Sequence, residues 1–103
     1  MERHSIHIAP RASAELVSIH KYIEAESPQN ARAVLRRLFA AIDSLEIMPR
    51  RYEVHQSSRR AERAVHSMAS PPFIVYYRVS DGEKAVHVIA VRHGARRQPK
   101  RFR

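Results

Sequence analysis

The chain contains no cysteine. That excludes disulfides and thiolate chemistry and suits a reducing cytoplasm, the expected location. Only two glycines occur, and neither a glycine-rich phosphate loop nor a nucleophile elbow is present. No apolar run approaches the roughly 18 residues of a membrane-spanning helix, and the N-terminus lacks a signal-peptide apolar core. Acidic residues are scarce, ten against 19 lysines and arginines, for a formal net charge of +9. With 44% hydrophobic residues in 103 positions, a single folded domain spanning 1–103 with one modest core is expected.

The charge is unevenly placed. Residues 1–49 hold six cations and six anions, whereas residues 50–103 hold 13 cations and four anions. The first half reads as a neutral scaffold and the second as a surface for an anionic partner.

Secondary structure is signalled by periodicity and punctuation. His4 to Ile8 alternates and ends at Pro10, a short first strand. Ala12, Leu16, Ile19 and Ile23 recur at helical spacing through about Glu24. Ser27-Pro28 restarts a second helix, Ser27 as N-cap and Pro28 at its first position, running to about Met48 before Pro49. Arg50 to Ala61 reads as a polar, cationic loop. Glu62 to Met68 alternates as a strand, with Ala69 to Pro72 as the following turn. Phe73 to Val79 and Lys84 to His93 flank Asp81-Gly82 as a hairpin, with Gly82 expected at positive φ. In the second arm, Val86, Val88 and Ala90 are expected to oppose His87, Ile89, Val91 and His93. Residues from about 94 to 103 read as an exposed basic tail. The predicted fold class is α+β: an N-terminal strand, then an antiparallel helix hairpin packed on one face of an antiparallel sheet completed by a three-strand meander.

Five motifs in this order resemble the RelE/ParE toxins of bacterial type II toxin–antitoxin modules. They are Ala14-Glu-Leu16, the Tyr22-Ile23 to Ser27-Pro28-x-x-Ala31 junction, Leu45-x-x-x-Pro49, Tyr76-Tyr-Arg-Val79, and Val91-Arg-His-Gly-Ala-Arg96. The resemblance covers nearly the whole chain, and the Ser-Pro junction and the closing motif look more like the ParE branch. It implies a toxin neutralised by a cognate, ParD-like antitoxin in a hetero-oligomer, and a ParE-like inhibitor of DNA gyrase. The alternative it carries is a RelE-like, ribosome-dependent mRNA endonuclease.

Candidate residues follow from both readings. Cleavage at a 2′-hydroxyl needs a base, a cation for the phosphorane and an acid. His93 is the candidate acid or base and Arg63 and Arg78, expected on neighbouring strands, the phosphate clamps. Without chemistry, Arg92, Arg96, Arg97, Lys100 and Arg101 are the candidate target contacts. Val34, Leu38 and Phe39, on the broad apolar face of the second helix, are the candidate antitoxin contacts. His4 and His7 point to opposite faces of a strand, and no histidine pair has HxxxH or comparable spacing, so neither a metal nor a cofactor is expected.

Overall fold

The computed structural model describes residues 2–95 and 98–102. Strand β1 (Ser5–Ile8) leads into helices α1 (Pro10–Glu24) and α2 (Pro28–Asp43). Strands β2 (Val54–Gln56), β3 (Val65–Ser70), β4 (Phe73–Ser80) and β5 (Ala85–His93) follow. The strands form one sheet in the order β1-β5-β4-β3-β2. The predicted α+β class stands, with two refinements. β1 lies parallel to β5, so the sheet is mixed; the intervening helices and strands supply the long connection a parallel pair needs. β2, pairing with β3, is a fifth strand inside the stretch expected to be a loop.

Helix boundaries follow local chemistry. The Ser27 hydroxyl accepts a hydrogen bond from the Asn30 amide at 3.2 Å, with Pro28 just inside α2. The second helix ends earlier than expected, at Asp43. A 3-10 turn, Ser44–Glu46, completes it, and Met48 then turns left-handed (φ 48°) before Pro49. A residue preceding proline is driven out of the right-handed helical region, which explains a stop ahead of Pro49. The turn between β3 and β4 is shorter than expected, only Pro71-Pro72, joined by a cis peptide. Between β4 and β5 the four residues 81–84 form a wider turn, and Lys84 (φ 50°), not Gly82, carries the positive φ. The Lys84 amide bonds back to the Asp81 carbonyl and the Glu83 amide to Ser80 Oγ, so the loop closes without using the freedom of glycine.

The main core lies between helices and sheet. Ala12, Leu16, Val34, Leu38, Ile42 and Leu45 meet Met68, Phe73, Val75, Tyr77, Val79, Val86, Val88 and Val91. Full burial of each large aliphatic side chain contributes about 1.5–3 kcal/mol. A second cluster, Val65, Tyr76, Ala90 and Phe102, occupies the opposite face. Val91 therefore belongs with Val86 and Val88, and Ala90 does not, contrary to strict alternation. The cause is a bulge: Tyr76 pairs with Ala90 but Tyr77 with Val88, leaving Ile89 extra. One inserted residue inverts the facing of all that follow it.

The C-terminal segment is the largest departure. Phe102 is only 6% exposed, and the described segment 98–102 lies over the second sheet face. Gln56 grips its backbone at both ends, Nε2 donating to Phe102 O (3.2 Å) and Oε1 accepting from Phe102 N (2.6 Å). His55 Nε2 lies 2.7 Å from Pro99 O, and Tyr76 donates to Gln98 Oε1 at 2.8 Å. The Phe102 ring packs on Tyr76 at 4.7 Å, with Arg11 over its face at 5.7 Å.

Candidate functional site

Three surfaces carry the candidate residues. The first is a cleft on the second sheet face, lined by Gln56, Ser57, Ser58, Arg63, Arg78 and Phe102. Arg63 sits in a 3-10 turn, Ala61–Arg63, ahead of β3 and not on a strand. Arg78 Nε donates to the Arg63 carbonyl (3.2 Å) and Nη2 to the Phe102 carbonyl (3.4 Å). These main-chain bonds hold its guanidinium at the cleft while leaving its charge unneutralised by the lining. The two arginines are thus brought together, as phosphate recognition requires.

His93 is not brought to them. It pairs with Phe73 at the far end of the hairpin, its ring 5.5 Å from the Phe73 ring, whereas Arg78 pairs with His87. Five residues of strand separate Phe73 from Arg78, roughly 17 Å, and the two side chains project from opposite faces. His93 Nδ1 accepts the Ala95 amide at 3.1 Å and so braces the chain reversal after β5.

The second surface is the C-terminal end of β5. β1 stops opposite Val88, leaving the outer edge of β5 beyond it unpaired, and Glu15 of α1 fills the gap. Glu15 Oε1 accepts the Val91 amide at 3.0 Å, while Oε2 lies 2.9 Å from Arg92 Nε, an ion pair without hydrogen-bond alignment. Arg92 is therefore tethered. It lines a shallow cleft with Gln98, Pro99 and Lys100, beside exposed Arg101. Arg96 and Arg97 lie outside the described residues.

The third surface is the outside of the helix pair. Val34 (7% exposed) and Leu38 (1%) are core residues pointed at the sheet, not contacts open to a partner. They continue the row Ala31, Val34, Leu38, Ile42 at helical spacing. Phe39, one position off that row, is 41% exposed. Val17 (52%) and Tyr22 (77%) of α1 are also open. Both sit off the Ala12–Leu16–Ile19–Ile23 stripe, a signal that periodicity carries. Glu15 and the cleft residues Gln56, Ser57, Ser58 and Phe102 left no such signal.

Three titratable groups among the described residues depart from their ordinary values, Asp81 in the β4–β5 turn and Tyr76 and Tyr77 within β4. The Arg50 guanidinium, donating to Asp81 Oδ2 at 2.9 Å, holds the Asp81 carboxyl below the usual carboxylate range, with His4 at 3.6 Å adding to it. Burial raises the Tyr77 phenol well above its ordinary value, and burial raises that of Tyr76 as well. Among the described residues no three His, Cys, Asp or Glu side chains converge as they stand. No helix among them is long and apolar enough to cross a membrane.

A helix pair on a mixed five-stranded sheet with a cationic outer face defines a two-layer α+β protein. Its fold matches the chromosomal ParDE toxin–antitoxin system of P. aeruginosa, with a TM-score of 0.68 and 17% identity over 88% of this chain and 96% of that one. It also matches the archaeal RelE–RelB complex of Pyrococcus horikoshii, with a TM-score of 0.67 and 17% identity over 92% of this chain and 99% of that one. The family model "ParE toxin of type II toxin-antitoxin system, parDE" matches residues 6–98. Toxin RelE2 of Caulobacter vibrioides is 37% identical over 84% of this chain and 90% of its own length. The chain belongs to the ParE toxin family, within the RelE/ParE superfamily of type II toxin–antitoxin toxins.

Proposed function

We propose that this toxin acts in the cytoplasm by binding, as a ParE-like inhibitor of DNA gyrase, and is neutralised by a cognate ParD-like antitoxin. The observation that carries the reading is the separation of His93 from the Arg63–Arg78 cleft, which leaves the candidate acid or base of RNA cleavage away from its cations. The family match to ParE over residues 6–98 supports it further. The target contacts proposed are Arg92, Lys100 and Arg101, together with Arg96 and Arg97. The antitoxin is proposed to meet Phe39, Tyr22 and Val17 on the helix pair, since a partner helix lays its apolar face on exposed apolar side chains.

Purified toxin, assayed for gyrase supercoiling and in parallel for mRNA cleavage on translating ribosomes, tests the mechanism. Inhibition of supercoiling without cleavage is expected. Cleavage that disappears in His93→Ala would overturn the gyrase reading in favour of the endonuclease. The Arg63–Arg78 cleft is the observation that favours that second reading.

A further inference from the structure

We propose that His7 and His87 form a binding site for a first-row divalent transition cation on the open sheet face, with Glu83 as third ligand. The parallel register of β1 and β5 makes the two histidines direct partners. Their rings stack with centroids 5.2 Å apart and planes at 21°. Partners on adjacent strands lie close enough for one ion to bridge their side chains. The C-terminal segment covers the Tyr76 and Ala90 part of this face; His7 is exposed, and the His87 side chain is 40% exposed.

Hydrogen bonding sets the ring of His7 for this role. Ser5 Oγ donates to the Lys84 carbonyl (3.3 Å) and lies 3.0 Å from His7 Nε2. A hydroxyl has one proton. With that proton on Lys84 O, the hydroxyl accepts from His7 Nε2–H, and the ligating lone pair falls on Nδ1. Orientation of a histidine by a partner on its other nitrogen is the usual support of a metal ligand. Glu83 Oε1 is 4.0 Å from His87 Nε2 on a 72% exposed side chain, free to swing inward.

The remaining histidines are otherwise engaged. His4 faces Asp81, His20 pairs with Glu24, His55 binds Pro99 O, His66 is buried against Tyr77, and His93 accepts the Ala95 amide. The site closes on the ion by rotation of exposed side chains to nitrogen–metal distances of about 2.0–2.1 Å. Imidazole with one carboxylate suits zinc, nickel or copper over magnesium or calcium. Chain spacing conceals such a pair, because only the pairing of β1 with β5 joins residues from opposite ends of the sequence.

Zinc titration of the untagged chain, by calorimetry and by NMR of the histidine rings, tests the proposal. One equivalent of Zn²⁺ is expected to shift the His7 and His87 ring signals together. His7→Ala or His87→Ala should weaken binding at least tenfold, Glu83→Gln a few-fold, and His20→Ala not at all. Melting curves in EDTA check that each variant folds, and His7→Gln and His87→Gln replace any alanine variant that does not. Absence of zinc binding, wild-type affinity in both single variants, or shifts confined to other histidines would overturn it.

Discussion

Tyr77 shows how much one polar atom can carry in this core. Its side chain is fully buried, its ring stacks on His66 at 5.2 Å, and its hydroxyl donates to the Pro49 carbonyl at 2.5 Å. That bond ties the 3-10 turn Pro49–Arg51 to the sheet. Tyr77→Phe should cost about 1–3 kcal/mol at neutral pH, because it leaves a carbonyl unsatisfied in an apolar setting. Burial raises the phenol above its ordinary range, with nearby Arg51 partly opposing. A raised folded value means the contribution is whole below the unfolded value of about pH 10 and is lost as pH climbs beyond it, since the unfolded chain ionises first. Urea unfolding at pH 8 and pH 11 should therefore show wild-type stability falling towards that of Tyr77→Phe at the alkaline end. Asp81 runs the other way. Its carboxyl is depressed by Arg50 first, so its contribution is whole above the ordinary carboxylate value and fades as pH falls through the depressed one. The Asp81 side chain is 68% exposed, so Asp81→Asn should change stability by under about 1 kcal/mol, and less still in high salt.

Among the elements, the C-terminal segment does most to alter the picture drawn from sequence. Phe102 is a lone aromatic among Arg97, Lys100, Arg101 and Arg103, and such flanks read as solvent-facing. What holds it is supplied from afar: the Gln56 amide, Tyr76, and the Arg11 side chain. None of these is visible in a local window. Phe102→Ala should destabilise the domain by about 3 kcal/mol, near the low end for a buried phenylalanine. Gln56→Ala should loosen the same segment by removing two hydrogen bonds. Denaturant unfolding measures the first, and faster amide exchange at Phe102 reports the second. By contrast, both helices were legible, because Ser27-Pro28 punctuates the hairpin and Leu16, Ile19 and Ile23 keep helical spacing. The meander was legible from its β-branched runs. The three-residue β2 was too short to show a period, and the bulge at Ile89 broke the alternation on which facing was read. Arg63 and Arg78 line one cleft, although Arg63 sits in a 3-10 turn and not on the strand its pattern suggests, and chemistry alone does not show that register sets His93 apart from them. Val34 and Leu38 looked like contacts only because a single helix cannot reveal which part of its apolar face meets the sheet.

At the scale of the whole molecule, two layers of different character divide the labour proposed here. The helix layer comes from the electroneutral half of the chain and exposes Phe39, Val17 and Tyr22. The second half of the chain, which supplies four of the five strands, their loops and the C-terminal segment, carries the cationic surplus. If the antitoxin docks on the first and the target on the second, single substitutions should separate neutralisation from toxicity. Phe39→Ala removes an aromatic that is 41% exposed, so stability should move by about 0.5 kcal/mol or less. Antitoxin affinity should nevertheless fall at least tenfold, the usual consequence of truncating an aromatic anchor. Leu38→Ala, one residue away but 1% exposed, should cost about 2–5 kcal/mol of stability, and any loss of binding should track unfolding. Charge reversal at Lys100 and Arg101 should do the converse, sparing antitoxin binding while weakening supercoiling inhibition, with a loss that grows smaller as salt rises and screens the attraction. Calorimetry against antitoxin and supercoiling assays at two salt concentrations, run on the same four proteins, read both effects together. Phe39→Ala and the reversed pair losing both activities in parallel would show one shared surface in place of two.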